Sequence, residues 1–271
     1  MRPTMIKLSA NTVLFGRSGF ATAARVLSAA GYDGVEVAAL AGMCEHLELS
    51  NWRAQAAELR TILDDHGLQP LAMEESALDE ERLRLAFEAA AEIGIPAVCI
   101  GSGGKTGDED SLKSAVERIA TLSDEAHAHG VTLCLKAHVG SAVHDTPTTL
   151  AVMEAIDSPG FGVNMDPSHI HRAGEDVVEA LRAVVDRVRH VHIRDCPSRE
   201  PSPGPPSQQA CGRGQIDLAG YCGVLAEAGY DGALSLEVIG AQTWDDPGAS
   251  AVIAAESAGY LNACLKALGA R

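Results

Sequence analysis

Aromatic residues are scarce in this chain: two Trp, four Tyr and four Phe make up 4% of it. Few side chains are therefore available to stack on bases or sugar rings. Cations are also short, with 21 Lys and Arg against 37 Asp and Glu and a net charge of −16. A surface of that sign repels phosphate backbones and anionic lipid heads, so nucleic acid and membranes are poor partners. No apolar run reaches the roughly 18 residues that a membrane-spanning helix needs. Met1–Thr4 leads straight into an apolar strand, without the charged, apolar and small-residue regions of a secretory signal, and the expectation is a cytoplasmic protein. The seven cysteines are odd in number, widely spaced and free of any Cys-x-x-Cys pair. That argues against a disulfide framework or a zinc ribbon and leaves small core residues or free thiols.

What is present is an alternation. Short apolar or β-branched runs at Ile6–Ala10, Gly34–Ala38, Gln69–Met73, Ala97–Gly101, Thr132–Ala137, Gly162–Asp166, His190–Arg194 and Leu234–Val238 read as strands. Stretches of helical period follow them at Phe20–Ala30, Trp52–His66, Glu80–Ile93, Asp110–His129, Leu150–Ile156, Val177–Val185, Leu218–Ala228 and Ser250–Leu268. Eight such units predict an α/β fold, a single (β/α)8 TIM barrel covering residues 1–271. That length suits a fold that typically takes about 250 residues. The phrase Ala-Gly-Tyr-Asp-Gly occurs at 30–34 and again at 228–232, as a faint repeat or as one favoured turn used twice.

In such a barrel the chemistry collects where strands end at the C-terminal rim. There the sequence puts Lys136 and His138 after the fifth run, Asp166 and His169 after the sixth, His190, His192 and Asp195 around the seventh, and Glu237 after the eighth. Asp, His and Glu on adjacent strands can converge on one divalent cation. Each could equally be a separate capping or salt-bridging group. Glu36 and Glu74 could reach the mouth as substrate contacts or a base, or serve as helix N-terminal carboxylates. Gly101-Ser102-Gly103-Gly104-Lys105 lacks the P-loop spacing and reads as a tight loop. Trp244 is the candidate platform for a sugar ring. The Pro, Ser and Gly content of Cys196–Gln209 predicts a loop over the mouth, offering Arg199 and Arg213 to substrate.

Four segments carry a family resemblance: Asp166-Pro167-Ser168-His169, His190-Val191-His192-Ile193-Arg194-Asp195, Gly212-Arg213-Gly214-Gln215-Ile216-Asp217 and Gly229 through Glu237. With them the chain resembles the sugar phosphate isomerase/epimerase family of xylose isomerase-like barrels over nearly its whole length. The resemblance implies one divalent metal ion (Mn, Mg, Zn, Co or Fe), held by Asp166, His192 and Glu237, and a small-molecule carbohydrate substrate. It implies His169 as a substrate-contacting, catalytic histidine, Arg199 or Arg194 on substrate oxygens, and a homo-oligomer. Where the family's fifth strand ends in a ligating Glu, this chain has Lys136. Either His138 or His169 then completes the metal shell while Lys136 contacts substrate or moves a proton, or Lys136 itself takes the metal's charge position. The expected activity is a metal-assisted isomerase or epimerase of a ketose, sugar phosphate or sugar acid, with Lys136, Glu237 and His169 catalytic and His138, Arg199, Glu74 and Trp244 binding substrate. The alternatives are a lyase or dehydratase acting by β-elimination on an oxidised sugar, cyclitol or glycoside, and a non-catalytic sugar-binding barrel.

Overall fold

A computed structural model describes residues 5–240 and 244–271. Met1–Thr4, read above as lacking a signal, lies outside them. Eight parallel strands form the barrel: β1 (Lys7–Asn11), β2 (Gly34–Leu40), β3 (Gln69–Ser76), β4 (Ala97–Gly101), β5 (Thr132–Lys136), β6 (Phe161–Met165), β7 (Val188–Ile193) and β8 (Ala233–Leu236). Pairing of β1 with β8, Leu8 opposite Leu234, and with β2, Ala10 opposite Val35, closes the sheet and removes its free edges. A two-residue strand, Cys44–Glu45, folds back antiparallel on the end of β2.

The helices are α1 (Phe20–Ala29), α2 (Trp52–His66), α3 (Glu80–Ile93), α4 (Glu109–Ala128), α5 (Thr146–Ala155), α6 (Pro167–Arg172), α7 (Val177–Val184), α8 (Leu218–Glu227) and α9 (Pro247–Ala267). Two depart from the sequence expectation. Helix α5 begins before Leu150, because Asp145 and Thr148 cap each other reciprocally and Pro147 suits the first turn. Helix α6 is an addition, started by the Asp166 carboxylate accepting from the Ser168 N–H. Among the described residues no helix is long and apolar enough to cross a membrane.

The two-residue period of the strands sorts their side chains. Val35, Val37, Met73, Val98, Ile100, Leu133, Leu135, Val163, Val191, Ile193, Leu234 and Leu236 belong to the main core with the helices. The alternate positions face the barrel axis. A small apolar layer of Ala72, Ala97, Cys99 and Cys134 lies low in it. Six of the seven cysteines are buried, and Cys264 on α9 is half-buried. The upper interior is polar: Asn11, Glu36, Glu74, Lys136, Asn164, His192, Ser235 and Glu237 are all buried. Solvation lost there must be replaced by protein partners, and those partners define the site.

Candidate active site

Lys136, the last residue of β5, is 6% exposed, and its ammonium sits among three acceptors. Nζ donates to Glu237 Oε1 at 2.6 Å and Glu74 Oε1 at 3.1 Å, and meets His192 Nδ1 at 3.0 Å. An ammonium has three protons, and all three are used. Glu74 reaches this point through a bulge in β3, where the register against β4 shifts between Glu74 and Ser76. Ser76 takes the left-handed conformation, φ 67°, rare for a non-glycine. The bulge lets Glu74 turn inward onto Lys136 and Asn11 Nδ2 (2.6 Å), while Glu75 accepts from Arg82 Nε (2.7 Å).

A second tier lies beneath. Glu36 accepts from His192 Nε2 at 2.9 and 2.8 Å and from Ser235 Oγ at 2.7 Å, with His190 Nε2 at 3.4 Å. Against burial and Lys136, Glu36 favours a charge on His192, but the contact of Nδ1 with Nζ decides the protonation state. A protonated Nδ1 cannot face the protonated Nζ at 3.0 Å. We therefore assign Nδ1 as acceptor and Nε2–H as donor to Glu36, the arrangement in which each proton has a partner.

Beside the ammonium lies a guanidinium. Arg194 Nη2 is 3.4 Å from Asp166 Oδ2, Nη1 is 3.5 Å from Glu237 Oε2, and Nε donates to Ser168 Oγ at 2.7 Å. His169 meets Arg194 Nη2 at 3.1 Å and Arg172 Nη2 at 3.0 Å, and its ring stacks near that of His138, centroids 4.1 Å apart. These groups face a cavity of about 190 Å³ at the C-terminal mouth, lined by Glu74, Ser76, Lys136, His138, His169, Arg194 and Glu237, with Leu40, Met43 and Ile239 on its apolar side. A larger groove of about 340 Å³ between α1 and α2 holds His46 and Glu58 but no comparable convergence of charge. The mouth is the candidate site.

Its electrostatics separate the two glutamates that share Lys136. Burial raises Glu74 to about 7, against the pull of Lys136. Burial would raise Glu237 too, but Lys136 and Arg194 hold it well below the carboxylate range. Burial would lower Lys136, and Glu237 and Glu74 override it, so the amine stays protonated. In that form it donates hydrogen bonds rather than accepting a proton. Burial, reinforced by Arg194 at His169 and by Lys136 at His138, keeps both imidazoles below their usual value, and burial does the same at His46. The unfolded chain then takes up protons below about pH 6.5 that these histidines refuse, so stability present above that pH is lost on acidification. Glu74 acts in the opposite sense between about 4.5 and 7, holding a proton that the unfolded chain releases. His171 adds to the first group and Glu75 to the second. With four histidines against two glutamates, Tm should fall between pH 7 and pH 5, and His169→Asn should flatten the slope. A Tm that rises over that interval would contradict these assignments.

Of the residues singled out in sequence, Lys136, Glu74, His138, His169 and Glu237 line the cavity, and His192 lies under it. His192, Glu237 and Glu74 bring ligating atoms within 4.8 Å of one another, a set of types that can hold a metal ion. Asp166 is not in that set; its oxygens meet Arg194 and the Ser168 N–H. Arg199 is exposed beside Gly174 and Arg213 pairs with Glu256, so neither reaches the cavity; Arg194 does. Trp244 packs on Gly16 and against the cluster of Val13, Ala38, Leu40 and Cys44, and does not line the cavity. No residue of the loop from Cys196 lines the cavity, and the loop buttresses it through Gln209. Gln209 donates to Gly204 O and Ile239 O and offers its own oxygen to Ile239 N–H and Arg194 Nη1. The glycine-rich 101–105 loop is tied to the next one by Ala142 N–H to Gly103 O and Val143 N–H to Ser102 Oγ, which fits a structural turn. Sequence reasoning passed over Asn11, Ser235 and Gln209. Asn11 and Ser235 are polar residues inside or just after an apolar run, and that was the available signal; Gln209 lies in the Pro- and Ser-rich loop, which offered none.

Comparison with known proteins agrees with this architecture. The family model described as xylose isomerase-like TIM barrel matches residues 24–264. The inosose dehydratase of Mesomycoplasma hyopneumoniae (strain 7448) is 31% identical over 67 residues, 25% of this chain and 22% of that protein, so the match spans about a fifth of the relative's length. The D-allulose 3-epimerase structure from Methylomonas sp. superposes with a TM-score of 0.76 at 18% identity, covering 97% of this chain and 99% of that one. The structure of the IolI protein with a binding zinc atom gives 0.78 at 20% identity, covering 96% and 99%. At these identities the structural likeness is one of fold.

Proposed function

Because the chain belongs to the xylose isomerase-like TIM barrel family, we propose that it is an isomerase or epimerase that moves the proton on the carbon beside a carbonyl in a ketose, sugar phosphate or sugar acid. The observation that carries this reading is the pair Glu74 and Glu237, bonded to one ammonium yet pushed apart in proton affinity. Such a split assigns an acid and a base. Glu237 Oε2 is buried without a hydrogen bond and has its carboxylate on the cavity, so it is the acceptor for the α-proton. As the C–H bond breaks, its electron pair forms a C=C bond and the carbonyl oxygen becomes an enediolate oxygen. Lys136 and Arg194 face that developing charge. Glu74, protonated up to about pH 7, returns a proton to carbon from the other wall. The epimerase named among the structural neighbours is consistent with this chemistry.

A second reading shares the first step. If Glu74 gives its proton to a β-hydroxyl instead, water leaves and the enzyme is a dehydratase, which the local match to an inosose dehydratase favours. Incubation with ketoses, sugar acids and inososes in deuterated water, followed by NMR, separates them. Solvent deuterium at the α-carbon of an epimer or carbonyl-position isomer with the same carbon skeleton supports isomerisation, and an unsaturated product supports dehydration. Glu237→Gln should slow label uptake by about 10³-fold, the usual scale of a lost general base. Binding without label uptake across the panel would leave a sugar-binding barrel and overturn the proposal.

A further inference from the structure

We propose that Lys136 is the cation of this site: its ammonium stands where a divalent ion would otherwise bind, the wild-type chain works without one, and removing the lysine uncovers a metal site. The inference concerns the cavity to which the proposed activity belongs, but it stands on geometry and is tested without turnover.

Two groups of side chains could hold a metal: Glu36, Cys99, His190 and His192 in the lower tier, and Glu74, His192 and Glu237 at the cavity. At the cavity group, Nζ lies within 3.1 Å of a ligating atom from each residue. An ion drawn to those three atoms meets the ammonium already among them. Both cannot stay, because two cations at contact distance in a buried site repel strongly. Nor can the ammonium swing out to bulk water without leaving its three acceptors. Asp166, the further ligand that the family resemblance supplies, is committed to Arg194 and to capping α6. The four places the resemblance reserves for ligands thus hold a cation, an occupied carboxylate, and two groups bonded to that cation. A divalent ion does not fit them as they stand.

The sizes of the charges also agree with the neighbours. Glu36 satisfies the far side of His192, leaving Nδ1 as a neutral acceptor, which suits an ammonium proton as well as it would suit a metal. Glu74 gives the longest of the three bonds, 3.1 Å, on the cavity side. A substrate oxygen entering the cavity can take over that proton while Glu237 and His192 keep Nζ in place. Lys136 would then polarise a carbonyl as a fixed single charge, which no chelator removes.

The test measures metal, not activity. Wild-type protein, Lys136→Glu and Lys136→Met would be dialysed against EDTA, re-exposed to Mn²⁺, Co²⁺ or Zn²⁺, and analysed for bound metal by mass spectrometry and for affinity by equilibrium dialysis. Wild type should hold substoichiometric metal as purified and show the same Tm with EDTA and with added ion. Lys136→Glu should bind about one ion per chain, on the order of 100-fold more tightly than wild type, since it removes a cation and adds an anion. Lys136→Met, which supplies no ligand, should bind more weakly than Lys136→Glu but more tightly than wild type. Stoichiometric metal in wild type that EDTA removes with a fall in Tm would overturn the proposal, whether or not either variant folds. A folded Lys136→Glu that binds no better than wild type would overturn it as well. Failure to find a substrate would touch only the proposed reaction.

Discussion

Replacing Glu36 by leucine should lower the stability of the folded chain by about 3–5 kcal/mol, the cost of leaving the buried donors of His192 and Ser235 without their acceptor. On a chain of this size that corresponds to a fall in Tm of roughly 10 °C. Glu36 does not line the cavity, so the effect would come from below it. Its carboxylate is the acceptor for His192 Nε2 and Ser235 Oγ. With leucine in its place Nε2–H has nothing to donate to, and the imidazole gains by moving that proton to Nδ1. A proton there confronts Lys136 Nζ, now 3.0 Å away, and drives the ammonium out of position. Turnover on a competent substrate should drop by about 10³–10⁴-fold, as when a buried carboxylate that fixes a histidine tautomer is lost elsewhere. Glu36→Gln keeps an oxygen for Nε2 and should be much milder. Denaturant unfolding and nitrogen NMR of His192 decide the matter: a leucine variant with wild-type stability and an unchanged Nε2–H tautomer would remove Glu36 from the account.

The second large effect is expected at Asp195, which touches no group in the cavity. Its carboxylate is buried and accepts from the backbone N–H of Cys196 (2.8 Å), Ile216 (3.1 Å) and Gly212 (3.0 Å). The 212–217 motif wraps this one side chain. Gly212 has φ 93°, and a Cβ on Gly214 would lie 2.2 Å from Asp195 Oδ1. Asp195→Ala leaves three backbone donors without an acceptor. At about 1–3 kcal/mol for each donor left buried, and with partial relaxation, a loss of about 3–5 kcal/mol is expected. The excursion from Cys196 to Gln215 should loosen first, taking with it Gln209 and so the Arg194 guanidinium. Hydrogen exchange would then accelerate across 196–216 before the barrel strands change, and KM should rise more than kcat falls. Uniform exchange behaviour across the chain would argue that the carboxylate only adds bulk stability.

The fold was legible because each barrel strand is outlined by apolar residues on its helix-facing side and each helix by its own period. All eight strands fall within a few residues of the runs read from sequence. The rim was legible for a related reason: a Lys, His or Glu that ends an apolar run in a barrel points to the mouth, as Lys136 and Glu237 do. The partnerships were less so. Asp166, His192 and Glu237 read as one ligand set, but Arg194 lies two residues after His192 on the same inward face, and its fork divides Asp166 from the others. Glu74 and Glu75 are adjacent in sequence and identical in kind; only the bulge, marked by nothing but a serine in a glycine-like conformation, decides which one faces inward. Arg199 and Trp244 were placed in the mouth by nearness in sequence to strands β7 and β8, and loops of that length carry a side chain elsewhere.

The buried thiols have a practical consequence for spectroscopy. Cysteines 44, 99, 134, 196, 211 and 222 are enclosed, and burial pushes the half-enclosed Cys264 thiol upward, so maleimides should find little native thiolate to attack. A single cysteine introduced at Met43, which is 44% exposed and lines the rim, should therefore react far faster than the native seven. A fluorophore there would report occupancy of the mouth directly, without first stripping the chain of its own sulfur.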